Sequence, residues 1–206
     1  MIGSCKLKFD GCVEKGKKQN KMKNTARVIV TFDCNRKCPG CCNTKLPEYK
    51  VIFNSEELMK YQEIVITGGE PLLMPEEILN FIVSMREKGY QGKMYLYTSL
   101  WKDEYIYRAI LNRLDGFTFT LHAECTDADV LALKNLSNCG FPQNSDFSSR
   151  LIIDKRVYDK YDLSNINFTK WNIIRKLEWK EKCDPAPNEE LLVYELLAGK
   201  KITMTQ

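Results

Sequence analysis

No apolar run in the chain approaches the length needed to cross a bilayer, which argues against a membrane role. Residues 1–10 form no apolar signal core, and nothing resembles an internal repeat or a low-complexity segment. An excess of charge of either sign is also lacking. The formal net charge is +4 with a pI of about 8.5, and the basic residues are spread along the sequence, too weak a balance to argue for nucleic acid. Histidine is reduced to His122, so any imidazole chemistry rests on that residue. Without a signal core, nine cysteines point to a reducing compartment, and we expect a cytoplasmic protein. At 206 residues the chain fits one domain with a sizeable core.

What is present is a concentration of thiols, Cys34-Asn-Arg-Lys-Cys38-Pro-Gly-Cys41-Cys42. Cys34, Cys38 and Cys41 are spaced C-x3-C-x2-C. Three thiolates on one tight loop can each hold one iron of a [4Fe-4S] cube, leaving the fourth iron without a ligand from the loop. The same residues, with Cys42 or a distant cysteine, also suit a closed three- or four-thiolate zinc site. Cys42 itself breaks no spacing rule.

Around this loop the pattern is strand followed by helix. Residues 27–32 form a β-branched run that delivers Cys34 at its end. Asn54 or Ser55 offers a helix start. The apolar run 63–67 ends at Gly68-Gly69-Glu70-Pro71, where the glycine pair lets the chain turn sharply beside a ligand. A helix is predicted from Pro75, with Glu76 and Glu77 in its first turn, Ile78, Phe81, Ile82 and Met85 on one face, and Gly89 as its stop. Strands follow at 93–98 and 117–121, helices at 105–114 and 128–136, further strands near 151–153 and 171–177, and a C-terminal helix over 189–197. Such alternation predicts an α/β fold with a parallel sheet of about six β/α units. Sites in parallel barrels gather at the C-terminal strand ends, where Cys34, Gly68 and Ser99 all fall. We divide the chain into a lysine-rich segment (1–24, with Cys5 and Cys12), a central barrel (25–182) and a helical C-terminal extension (183–206).

The cysteine spacing and Gly68-Gly69-Glu70-Pro71 together resemble the radical S-adenosylmethionine (SAM) enzymes. The string Cys-Pro-Gly-Cys-x-Asn, ending at Asn43, is similar over six residues to activating enzymes of anaerobic ribonucleotide reductase. The resemblance implies a partial, open β/α barrel and a [4Fe-4S] cluster on Cys34, Cys38 and Cys41. In that family SAM chelates the open iron through its amino and carboxylate groups, and reductive cleavage yields a 5′-deoxyadenosyl radical. Carried over by motif, Gly68, Gly69 and Glu70 would meet the amino end of SAM and Ser99 its ribose. An electron donor such as flavodoxin or ferredoxin is implied as a partner.

His122 follows a strand whose alternate residues point into the barrel, with Glu124 beside it; the pair are candidates for holding SAM or substrate, or for moving a proton. A hydrogen-bonded core histidine is the plainer reading of the same residue, and a capping acid is the plainer reading of Glu70. Three functions remain open. The first is an activating enzyme that makes a glycyl radical on a partner protein, the second an enzyme modifying a small molecule such as a deazapurine or nucleotide-like compound, and the third a zinc-binding module without turnover. Lys15, Lys17 and Lys18 would face a protein partner in the first.

Overall fold

The computed structural model describes residues 24–139, 141–142, 146–178 and 185–198. The lysine-rich start, with Cys5, Cys12 and Lys15 to Lys18, lies outside the described residues.

Among the described residues, eight strands form one sheet in which every pairing is parallel: β1 (Thr25–Thr31), β2 (Lys50–Ile52), β3 (Glu63–Gly68), β4 (Lys93–Thr98), β5 (Gly116–Leu121), β6 (Ser148–Asp154), β7 (Ile173–Leu177) and β8 (Glu189–Tyr194). The spatial order is β2-β8-β1-β3-β4-β5-β6-β7, so the sheet is open, with β2 and β7 at its edges. The helices are α1 (Pro75–Glu87), α2 (Tyr105–Leu111), α3 (Asp127–Cys139) and the short α4 (Glu195–Ala198).

Strand periodicity divides the sheet into two faces. Val28 and Val30 of β1, Ile64 and Ile66 of β3, Met94 and Leu96 of β4, and Phe117, Phe119 and Leu121 of β5 are buried in the main core. They share it with Ile78, Ile82 and Met85 of α1 and Ile110 of α2. The alternate residues Ile29, Thr67, Tyr97 and Thr120 line a cavity on the other face. One face thus holds the fold together while the other carries a largely apolar cavity with polar groups set into it.

The boundaries of α1 follow the expected chemistry. Pro75 opens it, and Gly89 (φ 89°) closes it. There the Tyr90 amide donates to the Met85 carbonyl and the Gly89 amide to the Arg86 carbonyl, the paired bonds of a glycine-terminated helix. The helix start read at Asn54 is a single 3₁₀ turn, Ser55–Leu58, with Asn54 Oδ1 accepting from the Glu56 amide at 2.9 Å.

The C-terminal helix expected over 189–197 is corrected. Residues 189–194 form β8, inserted between β1 and β2, and only Glu195–Ala198 is helical. The cause is burial on both sides. Leu192 and Tyr194 face the main core, whereas Leu191 and Val193 pack with Ile29 in a second cluster. A helix would expose part of this run; a central parallel strand buries all of it. Residues 189–194 therefore add a strand to the sheet. About six strands are expected and eight are found among the described residues, the additions being β2 and β8.

Candidate functional site

The segment after β1 carries Cys34, Cys38 and Cys41 as free thiols. Pro39 and Gly40 shape it: the Cys41 amide donates to the Cys38 carbonyl at 3.2 Å, and Gly40 has φ 70°. This is a turn with proline at its second position and a left-handed glycine at its third, and it folds Cys41 back toward Cys38. The Thr44 amide and hydroxyl then both donate to the Cys41 carbonyl.

A cavity of about 470 Å³ opens beside this loop at the C-terminal ends of the strands. Its lining includes all three thiols together with Gly68, Gly69, Glu70, Ser99 and His122. Eight of the nine residues read as site candidates therefore share one space, and Asn43 lines it as well. Glu124, the ninth, has a carboxylate oxygen within 4.8 Å of both the Cys38 sulfur and a His122 ring nitrogen.

The Gly68-Gly69 pair serves a close backbone approach. A β-carbon on Gly68 (φ 139°) would lie 2.3 Å from the Thr31 carbonyl oxygen, and one on Gly69 would lie 2.0 Å from that of Asp33. The Gly69 amide donates to the Thr31 carbonyl at 2.7 Å and the Glu70 amide to the Asp33 carbonyl at 2.8 Å. The missing side chains thus let the chain leaving β3 dock on the chain leaving β1, at the root of the cysteine loop.

Glu70 is buried, and both of its carboxylate oxygens are occupied. Oε1 accepts from the Leu72 amide (3.0 Å) and Thr98 Oγ1 (2.6 Å), and Oε2 from the Ser99 amide (2.8 Å) and Ser99 Oγ (3.1 Å). Burial pushes its pKa up, against the lowering effect of these four donors. The carboxylate caps the 3₁₀ turn Pro71–Leu73 and ties the end of β3 to the end of β4. With its acceptor positions filled, it meets a ligand only by giving up one of these bonds.

Arg36, within the cysteine loop, has no counterpart in the motif reading. Its guanidinium donates to both carboxylate oxygens of Asp129 on α3 (2.9 and 2.6 Å), while Nε donates to Ser99 Oγ (3.0 Å) and a terminal nitrogen to the Ser99 carbonyl (2.9 Å). The side chain is 6% exposed. Asp129 also accepts from the Thr126 amide and hydroxyl. Burial would raise the Asp129 pKa, but the Arg36 and Thr126 hydrogen bonds outweigh it and hold it below the usual range.

His122, just past β5, is half-buried. Its pKa is lowered to about 4, first by burial and then by the charge of Arg36, so the imidazole is neutral near pH 7. Burial, followed by the neighbouring Glu124 carboxylate, pushes the Cys38 thiol up to about 11.

Free thiols on one loop, soft donors facing a single cavity, fit an iron–sulfur cluster as a chemical donor set. The volume is in the range of ligand pockets, roughly 300–1,000 Å³. No helix among the described residues is long and apolar enough to cross a membrane.

No protein-family model matches the chain. Over 79 residues it is 35% identical to a protein of Methanocaldococcus jannaschii that bears the name of a glycyl-radical enzyme activating enzyme. That match covers 35% of this chain, and the chain spans about a third (33%) of the relative's length.

Proposed function

We propose that the protein is a radical SAM enzyme acting on a partner protein. The observation that carries this reading is the convergence of Cys34, Cys38 and Cys41 with Gly68, Gly69, Ser99 and His122 on one cavity at the ends of parallel strands. The partial likeness to a protein named as an activating enzyme favours a protein substrate, made radical-bearing with an electron from a flavodoxin- or ferredoxin-like donor, over a small molecule.

In this reading Cys34, Cys38 and Cys41 hold a [4Fe-4S] cluster, and SAM lies against the segment 68–70 and Ser99. When bound, the pair supplies reductive cleavage of SAM to a 5′-deoxyadenosyl radical, which abstracts hydrogen. The chain's own residues orient and shield. Glu70 fixes the ends of β3 and β4 through its four accepted hydrogen bonds, leaving backbone groups as its segment's contacts to SAM. Neutral His122, with Glu124, offers a hydrogen bond beside Cys38. The apolar residues Ile29, Leu46, Ile152, Leu177 and Leu191 line the same cavity and keep water from a reactive centre.

Anaerobic reconstitution tests this. The full chain should take up about four iron and four sulfide, and SAM should alter the cluster's electron paramagnetic resonance spectrum. Zinc uptake with no iron–sulfur chromophore would replace the proposal with a zinc-binding module.

A further inference from the structure

Cys38, His122 and Glu124 bring one sulfur, one nitrogen and one oxygen donor within 4.8 Å of one another, all on half-buried side chains. Two parts of the fold supply them. Cys38 comes from the turn after β1, and His122 and Glu124 come from the segment leaving β5. The parallel pairing of β1, β3, β4 and β5 places both segments at the same end of the sheet. The alternation of β5 directs His122 to the cavity side, as it does Thr120.

We propose that these three side chains form a mononuclear site for a borderline divalent ion, zinc or cobalt. It is distinct from the three-thiol set and mutually exclusive with it at Cys38. Thiolate, imidazole and carboxylate together select such ions over magnesium or calcium, which prefer oxygen alone. Three protein ligands leave the fourth tetrahedral position for water or a ligand from the cavity, the arrangement of open zinc sites. Bonds of about 2.0–2.3 Å require donor separations of roughly 3.3–3.8 Å, and side-chain rotation supplies the remaining ångström. Binding displaces the Cys38 thiol proton to solvent, and no electron is transferred. The mutual exclusion rests on the radical SAM reading; the site itself does not. With the cysteine loop free of iron, the ion would tie it to the end of β5. Cluster assembly would then require the ion to leave, after which His122 and Glu124 would face SAM or substrate.

The test is a Co²⁺ titration of the full-length, iron-free, reduced protein, read by its sulfur-to-cobalt charge-transfer and ligand-field bands. We expect one Co²⁺ per chain, tetrahedral, with the charge-transfer intensity of one thiolate. His122→Ala and Glu124→Gln should each weaken binding by more than about 100-fold, since loss of even an outer-shell partner costs 10- to 100-fold. Cys34→Ala and Cys41→Ala should leave it unchanged. If His122→Ala does not fold, Glu124→Gln carries the test. Three-thiolate intensity, or binding lost in Cys34→Ala and kept in Glu124→Gln, overturns the proposal without touching the radical SAM reading. Failure of the protein to assemble a cluster, with Co²⁺ binding as expected, overturns the latter alone.

Discussion

Arg36 grips Asp129 with two hydrogen bonds, at 2.9 and 2.6 Å, and so pins the middle of the cysteine loop to the first turn of α3. The same guanidinium reaches Ser99, which bonds Glu70. Four segments from different parts of the chain are thereby fastened around one cavity. Removing Arg36 strands a partly buried carboxylate, a loss of about 2 kcal/mol. We predict that Arg36→Ala or Asp129→Ala releases iron to a chelator about 30-fold faster than wild type, while the urea midpoint shifts modestly. Arg36→Lys should recover little, because one ammonium cannot span a carboxylate and Ser99 together. Unchanged release rates would refute a positioning role.

Gly40 adopts φ 70° in the turn that joins Cys38 to Cys41. An L-residue in that region costs roughly 1–2 kcal/mol, and asparagine tolerates it best. Gly40→Val should lower the yield of reconstituted cluster, and Gly40→Asn should restore most of it. Equal yields would show that the turn does not set the thiol geometry.

Gly69 gives a sharper contrast. As a space kept for a ligand, it would accept a larger side chain with the cluster intact and SAM binding weakened. The geometry instead puts the new β-carbon 2.0 Å from the Asp33 carbonyl oxygen, so the exits of β1 and β3 must separate. Gly69→Ala is therefore expected to lower thermal stability and cluster loading together. Calorimetry, iron content and SAM affinity measured on the same preparation decide between the two.

For His122 the sign follows from its lowered pKa of about 4. The unfolded chain, with a histidine pKa of about 6.5, binds a proton that the folded state resists. Its contribution is therefore present above pH 6.5 or so and is lost as pH falls toward 4. In metal-free protein, wild type should lose about 2 kcal/mol more than His122→Gln between pH 7.5 and 5, as measured by urea unfolding. Parallel profiles would show that His122 is not held neutral.

Much of the architecture was legible because local and periodic signals agreed. Pro75 and Gly89 bound α1, and alternation in β4 and β5 separated core-facing residues from those lining the cavity. The run Glu-Glu-Leu-Leu-Val-Tyr was misread because its apolar spacing suits a helix as well. Only pairing with β1, more than 160 residues earlier in the chain (Thr25↔Glu189), makes it a strand. β2 is three residues long, too short for periodicity to register. At the site, the thiol spacing and the Gly-Gly-Glu motif were readable because their chemistry is local. The Arg36–Asp129 pair was not: its partners are 93 residues apart, and an acid in a helix's first turn is ordinary on its own.

The most direct measurement is formation of 5′-deoxyadenosine by the anaerobically reconstituted full-length protein with SAM and dithionite, followed by chromatography. The radical SAM account predicts a steady yield from wild type that is abolished in Cys34→Ala, Cys38→Ala and Cys41→Ala. Wild-type protein that carries the cluster yet forms no 5′-deoxyadenosine above the level of these variants, with or without a candidate partner protein, would contradict it.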